Sequence, residues 1–308
     1  MDVHWNVKVS ELVQAMGSSG VLGAGRVAKA TKILAEMFSN PEYTVFISLA
    51  GPVVVGGLRN IVSKLLKEKL VKAIVSSGGN LTHDLIESIG FKHLKGKMYP
   101  DDVKLSLKEI GRVGDVYVEQ KAFQALEKKV YKMLDDFLKQ HSTKTFPLYQ
   151  LLKAFGLMVK DENSILASAS KVNAPIFSPG IFDSMLGYHL WTYGRLKGLK
   201  IDFSMDMEKM AEIIFESKKI GVIILGGGLP KHFVLGASML KGGVDAAIQI
   251  TMDRPETGSL SGAPLEEAIS WKKAKIKSKL VTVIGDFTII FPLIVVAALS
   301  NLKRIRKS

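Results

Sequence analysis

At 308 residues with 47% hydrophobic content, the chain is long enough to bury one large core or two modest ones; its 28 glycines and 10 prolines are near average usage, which excludes collagenous, low-complexity and largely disordered classes. The lack of cysteine removes disulfide frameworks, thiol nucleophiles, iron–sulfur clusters and thiolate-ligated zinc, and fits a reducing, cytoplasmic setting. With 42 basic and 29 acidic residues the net charge is +13, which attracts phosphate-bearing cofactors, acidic proteins or nucleic acid without choosing among them.

The start, Met1-Asp-Val-His-Trp-Asn, lacks the basic and apolar regions of a secretion signal. After the loop Gly17-Ser-Ser-Gly20, apolar residues at Val27, Ala30, Ile33, Leu34 and Met37 predict a helix over Arg26–Phe38, stopped by Asn40-Pro41. Tyr43–Leu49 reads as a buried strand running into Ala50-Gly51-Pro52, followed by a helix around Gly56–Leu70 and a strand Val71–Val75 that runs into Ser76-Ser-Gly-Gly79. Two successive passes of strand, glycine turn and helix are the rhythm of a parallel sheet.

The middle reads as helical: Tyr117–Gln140 carries Phe123, Leu126, Val130, Met133, Leu134 and Phe137 at helical spacing, and Leu148–Met158 follows. The strand rhythm resumes with Ile176-Phe-Ser-Pro-Gly180, a helix to about Tyr193, the run Ile220–Leu225 into Gly226-Gly-Gly228, a helix to about Leu240 and the strand Ala246–Thr251. Val281–Ile284 ends the sheet. The sixteen residues Phe287–Leu302 fall short of the roughly 20 needed to cross a bilayer and read as a buried helix. No repeat or long linker divides the chain, so the expectation is a single α/β domain over 1–308, with residues 1–25 as an N-terminal helical arm. Basic residues spread over Lys64–Lys72, Lys92–Lys104, Lys272–Lys279 and Lys303–Lys307 without aromatic interleaving read as solvated faces, with no dedicated nucleic-acid site.

In open parallel sheets, glycine turns beyond the carboxyl ends of strands let backbone N–H groups approach an anion. The turns at Gly51, Gly78, Gly180 and Gly226–Gly228 all follow predicted strands, although each also has a purely conformational reading and the G-x-G-x-x-G fingerprint is absent. The densest polar constellation spans Gly226–Lys273. Glu267 and Trp271 share one face of a helix opening inside Pro264, whereas Lys273 would point elsewhere on an unbroken helix. Either the helix ends near Lys272, or the lysine meets its partners through another element or subunit. A lysine forms an imine only when its amine is neutral, and an aromatic neighbour and an adjacent cation both favour that state; Trp271 and Lys272 supply them. The same Trp-Lys-Lys also reads as an amphipathic helix end with solvated ammonium groups. His4, His83, His93, His141 and His189 show no metal-ligand spacing, so no metal site is expected.

Leu225-Gly-Gly-Gly-Leu-Pro-Lys-His232, Gly258-Ser-Leu-Ser-Gly-Ala263 and Glu267-Ala-Ile-Ser-Trp-Lys-Lys273, in this order and spacing, resemble deoxyhypusine synthase. Ser77-Gly-Gly79 with Asp84-Leu-Ile, Pro179 through Asp183 to Leu186-Gly187, and Gly285-Asp286 before Phe291-Pro292 extend the resemblance over nearly the whole chain. It implies a Rossmann-like parallel sheet flanked by helices with NAD at the strand carboxyl ends. It also implies transfer of the aminobutyl group of spermidine to one lysine of the precursor of the hypusine-containing translation factor, through an enzyme–lysine imine and with release of 1,3-diaminopropane.

The family pattern places the imine-forming lysine at Lys273 and the base at His232. Glu267 and Trp271 hold the polyamine with Gly258 and Ser259, and Gly51, Ser77, Gly78, Asp183, Gly227 and Asp286 contact NAD. A homotetramer with sites between subunits is implied as well. The chain departs from the family where Tyr188 and Leu260 replace aspartates, Gly236 an asparagine and Lys272 a glycine. Fewer carboxylates weaken trication binding unless acids such as Glu256 or Asp253 stand in, which leaves a related transferase with another amine donor or acceptor, as in homospermidine synthesis, as an alternative. A noncatalytic NAD-binding paralogue is a further alternative.

Overall fold

The computed structural model describes Met1 and residues 5–305; residues 2–4 of the expected arm, with His4, and the basic positions Arg306 and Lys307 lie outside the described residues. The chain folds as two compact units, the first built from Met1–Ala50, Leu70–Val75 and Lys209–Ser308, the second from Gly51–Lys69 and Ser76–Glu208.

In the first unit, runs rich in β-branched and other apolar residues form β1 (Tyr43–Leu49), β2 (Ala73–Ser76), β3 (Lys219–Leu225), β4 (Val244–Thr251) and the carboxyl half of β5 (Ala274–Ile284), in the spatial order β5-β4-β3-β1-β2. β3 pairs in parallel with β1, Tyr43 opposite Lys219 through Leu49 opposite Leu225, and with β4, Ala246 opposite Gly221 through Ile250 opposite Leu225. β4 pairs in parallel with β5 up to Thr251 opposite Ile284. Strands covered on both faces need continuous apolar sequence, and Ile220–Leu225 is buried at every position. Phe46 and Phe291 are fully buried, each worth about 1.5–3 kcal/mol of apolar transfer.

Helices Val9–Ser19, Leu22–Ser39 and Phe287–Ile305 pack on one another, so the described part of the N-terminal arm is helical and docked. The helix expected over Arg26–Phe38 begins earlier, at Leu22. The final strand is longer than Val281–Ile284, reaching back to Ala274. Among the described residues no helix is long and apolar enough to cross a membrane. No group of His, Asp or Glu able to hold a metal occurs among them either.

The second unit is mainly helical, with helices Arg59–Lys67, Gly78–Ser88, Lys121–Leu138, Leu148–Met158, Ile165–Lys171 and Met185–Lys197. The helix expected from Gly56 starts only at Arg59, because Gly57 sits at φ +83° and breaks the helical path. The helix expected from Tyr117 starts at Lys121, because Val116–Glu119 is the central strand of a small antiparallel sheet with Leu94–Lys95 and Ile110–Val113.

A buried charge cluster ties this unit together. Asp84, whose side chain is 0% exposed, accepts hydrogen bonds from Arg59 Nε at 2.5 Å, Ser164 Oγ at 2.8 Å and the N–H groups of Ile165 and Leu166 at 3.0 Å. Arg59 Nη1 also pairs with Asp161 at 2.6 Å and Glu87 at 3.3 Å. Burial works to lower the Arg59 pKa, but Asp84 and Asp161 outweigh it and leave it raised.

Candidate active site

At the carboxyl ends of the parallel strands, neighbouring loops are stitched together by backbone hydrogen bonds: Ala50 N–H to Leu225 O at 3.0 Å, Gly226 N–H to Ile250 O at 2.8 Å and Gly285 N–H to Thr251 O at 2.8 Å. Gly226 takes φ +77°, and a Cβ there would press on Ala50 O at 3.0 Å, so glycine is required at this turn. Gly227 then caps the helix Gly228–Ser238 without a side-chain acceptor, and its bare Cα admits the close approach of Ser261. The positive end of an eleven-residue helix therefore meets this rim with no carboxylate or hydroxyl of its own cap on the first-turn N–H groups. Asp286 stands on the same rim and accepts Thr288 N–H at 2.7 Å and Thr288 Oγ at 2.8 Å, which makes it the cap of the last helix.

The helix from Gly228 carries Lys231 and His232 into a cavity of about 270 Å³. Lys231 is only 5% exposed, and its ammonium donates to Gln249 Oε1 at 2.9 Å and Ala263 O at 2.6 Å. Gln249 in turn donates from Nε2 to Gly226 O at 2.9 Å and Ser261 O at 2.8 Å, so one strand residue fastens two loops and, through Lys231, a helix. Burial lowers the Lys231 pKa to about 8, helped by Lys273 and opposed by nearby Glu267.

The position of Lys273 is settled by backbone geometry. The helix that holds Glu267 is only Glu267–Ser270, with Trp271 at its carboxyl cap. Lys272 adopts φ +56°, Lys272 N–H bonds Ile269 O at 3.0 Å, and Lys273 N–H bonds Ala268 O at 2.8 Å. This is a Schellman turn with lysine in the left-handed position normally given to glycine. It ends the helix at Lys272, one of the two possibilities open in the sequence, and swings Lys273 back to the cavity. Val244 N–H holds Lys273 O at 3.0 Å, and Gly243, at φ +99°, lies so close that a Cβ would sit 2.7 Å from Lys273 C and Ala274 N.

As a result Lys273 Nζ lies 3.5 Å from His232 Nδ1 and 5.6 Å from the centre of the Trp271 ring. Burial, and then the charge of Lys273, lower the His232 pKa, which favours the neutral imidazole, the form that can accept a proton. Glu267 and Trp271 line the same cavity with Leu235 and Leu260, and Trp271 remains 63% exposed at its mouth. Four sequence-identified residues, Lys273, His232, Glu267 and Trp271, thus meet in one place.

Gly258, at φ +65°, and Ser259, whose Oγ accepts Gly262 N–H at 3.1 Å, belong to the loop that delivers Leu260. Asp253 and Glu256 are exposed on that loop and do not line the cavity. Gly51, Ser77, Gly78 and Asp183 belong to the second unit. There Gly51 is an exposed turn residue at φ +69°, Ser77 caps the helix Gly78–Ser88, Gly78 packs its bare Cα against Ser184, and Asp183 is exposed at the end of a short turn. Tyr188 is exposed on the helix Met185–Lys197 of the same unit. Sequence reasoning gave no role to Lys231, Gln249 or Gly243. A glutamine amid Ala-Ala-Ile-Gln-Ile-Thr is a signal that a strand interior holds a purposeful polar group.

The deoxyhypusine synthase family model matches residues 11–298. A protein of Methanothermobacter thermautotrophicus named "Probable deoxyhypusine synthase" is 46% identical over 304 residues, 98% of this chain and 97% of that protein. One of the same name from Methanopyrus kandleri is 40% identical over 291 residues, 94% and 93% of the two chains. The crystal structure of "a putative deoxyhypusine synthase" from Entamoeba histolytica superimposes with a TM-score of 0.70 at 20% identity, covering 97% of this chain and 96% of that one, which shows a shared fold. With this match running through the glycine turn, the Schellman turn and the cavity between them, the chain belongs to the deoxyhypusine synthase family.

Proposed function

We propose that the protein moves the aminobutyl group of spermidine to one lysine of the precursor of the hypusine-containing translation factor, with NAD as hydride carrier. Membership of the family supports aminobutyl transfer to the translation factor. The observation that carries the rest is the approach of Lys273 Nζ to His232 Nδ1, 3.5 Å apart in a cavity that also holds Glu267 and Trp271.

In this reading His232 accepts a proton from the secondary amine, and Glu267 holds an ammonium group while Trp271 packs along the methylene chain. NAD, when bound, would supply the two-electron oxidant for the carbon beside that amine and the matching reductant for the final product. Lys273 adds to the oxidised carbon and 1,3-diaminopropane leaves; the acceptor lysine then replaces Lys273. The residues present fit a pyrophosphate-bearing cofactor: the side-chain-free cap at Gly227 offers helix N–H groups, with Asp286 on the same rim. By the family resemblance, Gly51, Ser77, Gly78 and Asp183 are also assigned to NAD, and Gly258 and Ser259 to the amine path. A cytoplasmic homotetramer belongs to the same proposal, to be weighed by light scattering.

Borohydride added to protein, NAD and spermidine is expected to leave an aminobutyl adduct on Lys273. Lys273→Ala and Lys273→Arg abolish it, while Lys272→Ala keeps it; an adduct that survives loss of Lys273 refutes the assignment.

A further inference from the structure

Charge arithmetic in the cavity sets what amine it can hold. Among the described residues that line it, Glu267 is the one carboxylate, and Lys231 brings a resident cation whose nitrogen is satisfied by two neutral acceptors, Gln249 Oε1 and Ala263 O. Leu260, Leu235 and Trp271 supply apolar wall, and neither Asp253 nor Glu256 reaches the lining. A 1,4-diamine whose reacting nitrogen has given up its proton keeps one ammonium group, which one carboxylate neutralises. A triamine in the same state keeps two, and the second stands against leucine, or nearer Lys231, without a counter-charge.

We propose that the cavity takes a 1,4-diamine as aminobutyl donor at least as readily as spermidine, and that Leu260 is the specificity-determining residue that removes the triamine's advantage. This rests on the aminobutyl-transfer reading above. The chemistry balances with the same oxidant. The reacting ammonium of the diamine loses a proton to His232, and a hydride passes from the adjoining carbon to NAD, leaving a protonated imine. Lys273 adds to that carbon, the bond to the original nitrogen breaks, and ammonia leaves where spermidine would release 1,3-diaminopropane. The unit left on Lys273 is identical from either donor, so one adduct reports both.

The full-length protein with NAD is incubated with either spermidine or 1,4-diaminobutane, trapped with borohydride over time, and the adduct on Lys273 is quantified by mass spectrometry alongside released ammonia or 1,3-diaminopropane. The specificity constant for spermidine is expected to be no higher than that for the diamine, and a clearly higher value for spermidine overturns the proposal. Leu260→Asp supplies a second carboxylate and is expected to raise the ratio by about fivefold or more, with a smaller rise counting against Leu260 as the determinant. Leu260→Asn, similar in size to the aspartate but uncharged, is expected to raise it less than Leu260→Asp does; an equal rise assigns the effect to shape and overturns the charge argument. No adduct from either donor sinks the transfer reading together with this one, whereas an adduct from spermidine alone sinks only the present inference.

Discussion

Two buried cations in this molecule are neutralised in opposite ways. Arg59, in the second unit, is surrounded by the carboxylates of Asp84, Asp161 and Glu87, and its pKa is raised despite burial. Lys231, in the first, has only an amide oxygen and a backbone carbonyl as acceptors, and burial brings its pKa down to about 8. Carboxylates make a fixed staple that ties helices together. Dipoles alone leave a charge that responds to what enters the cavity beside it, as suits a reaction site.

The sharpest way to break this contrast is to remove each cation and compare the damage. Arg59→Ala strands Asp84 as an unpaired buried carboxylate and is expected to cost about 3–5 kcal/mol in urea denaturation; a loss under about 1 kcal/mol would show that the cluster relaxes into solvent. Lys231→Met leaves only neutral acceptors unmet, and its expected cost is smaller, about 1–3 kcal/mol.

The pH dependence of that second pair sharpens the comparison further. The folded protein releases the Lys231 proton near pH 8, whereas the unfolded chain holds it to about 10.5. The unfolded state therefore binds more protons across that window, and wild-type stability rises relative to Lys231→Met from pH 8 to 10.5. Parallel curves would refute the lowered value. The smallest effect is expected at the Schellman turn, where Lys272→Gly relieves a left-handed lysine and adds about 1 kcal/mol, read as a higher Tm. A decrease on that substitution would show that the lysine side chain makes a favourable contact there.

The parallel sheet was legible because its strands are long, apolar and followed by glycine, as in Tyr43–Leu49 and Ile220–Leu225. So was the last helix, whose apolar run from Phe287 agrees with its observed start. The short antiparallel strands at Leu94–Lys95, Ile110–Val113 and Val116–Glu119 escaped because two to four residues of mixed polarity carry no readable period. At the site, the resemblance carried by the motifs from Leu225 to Lys273 identified Lys273, His232, Glu267 and Trp271, where residue types and spacing alone left a solvated helix end open as well. What brings them together did not show, because a left-handed turn is normally announced by glycine and this one is made by Lys272. The Arg59–Asp84 pair and the Lys231–Gln249 pair join residues far apart in sequence, and no local pattern encodes such partners.

The clamp formed by Gly243 and Val244 on the peptide after Lys273 is made of main-chain atoms alone. Aim of the proposed nucleophile is thus written into the backbone: neighbouring side chains such as the one at position 272 are open to exchange, while at position 243 even a methyl group would lever the reactive arm off its mark.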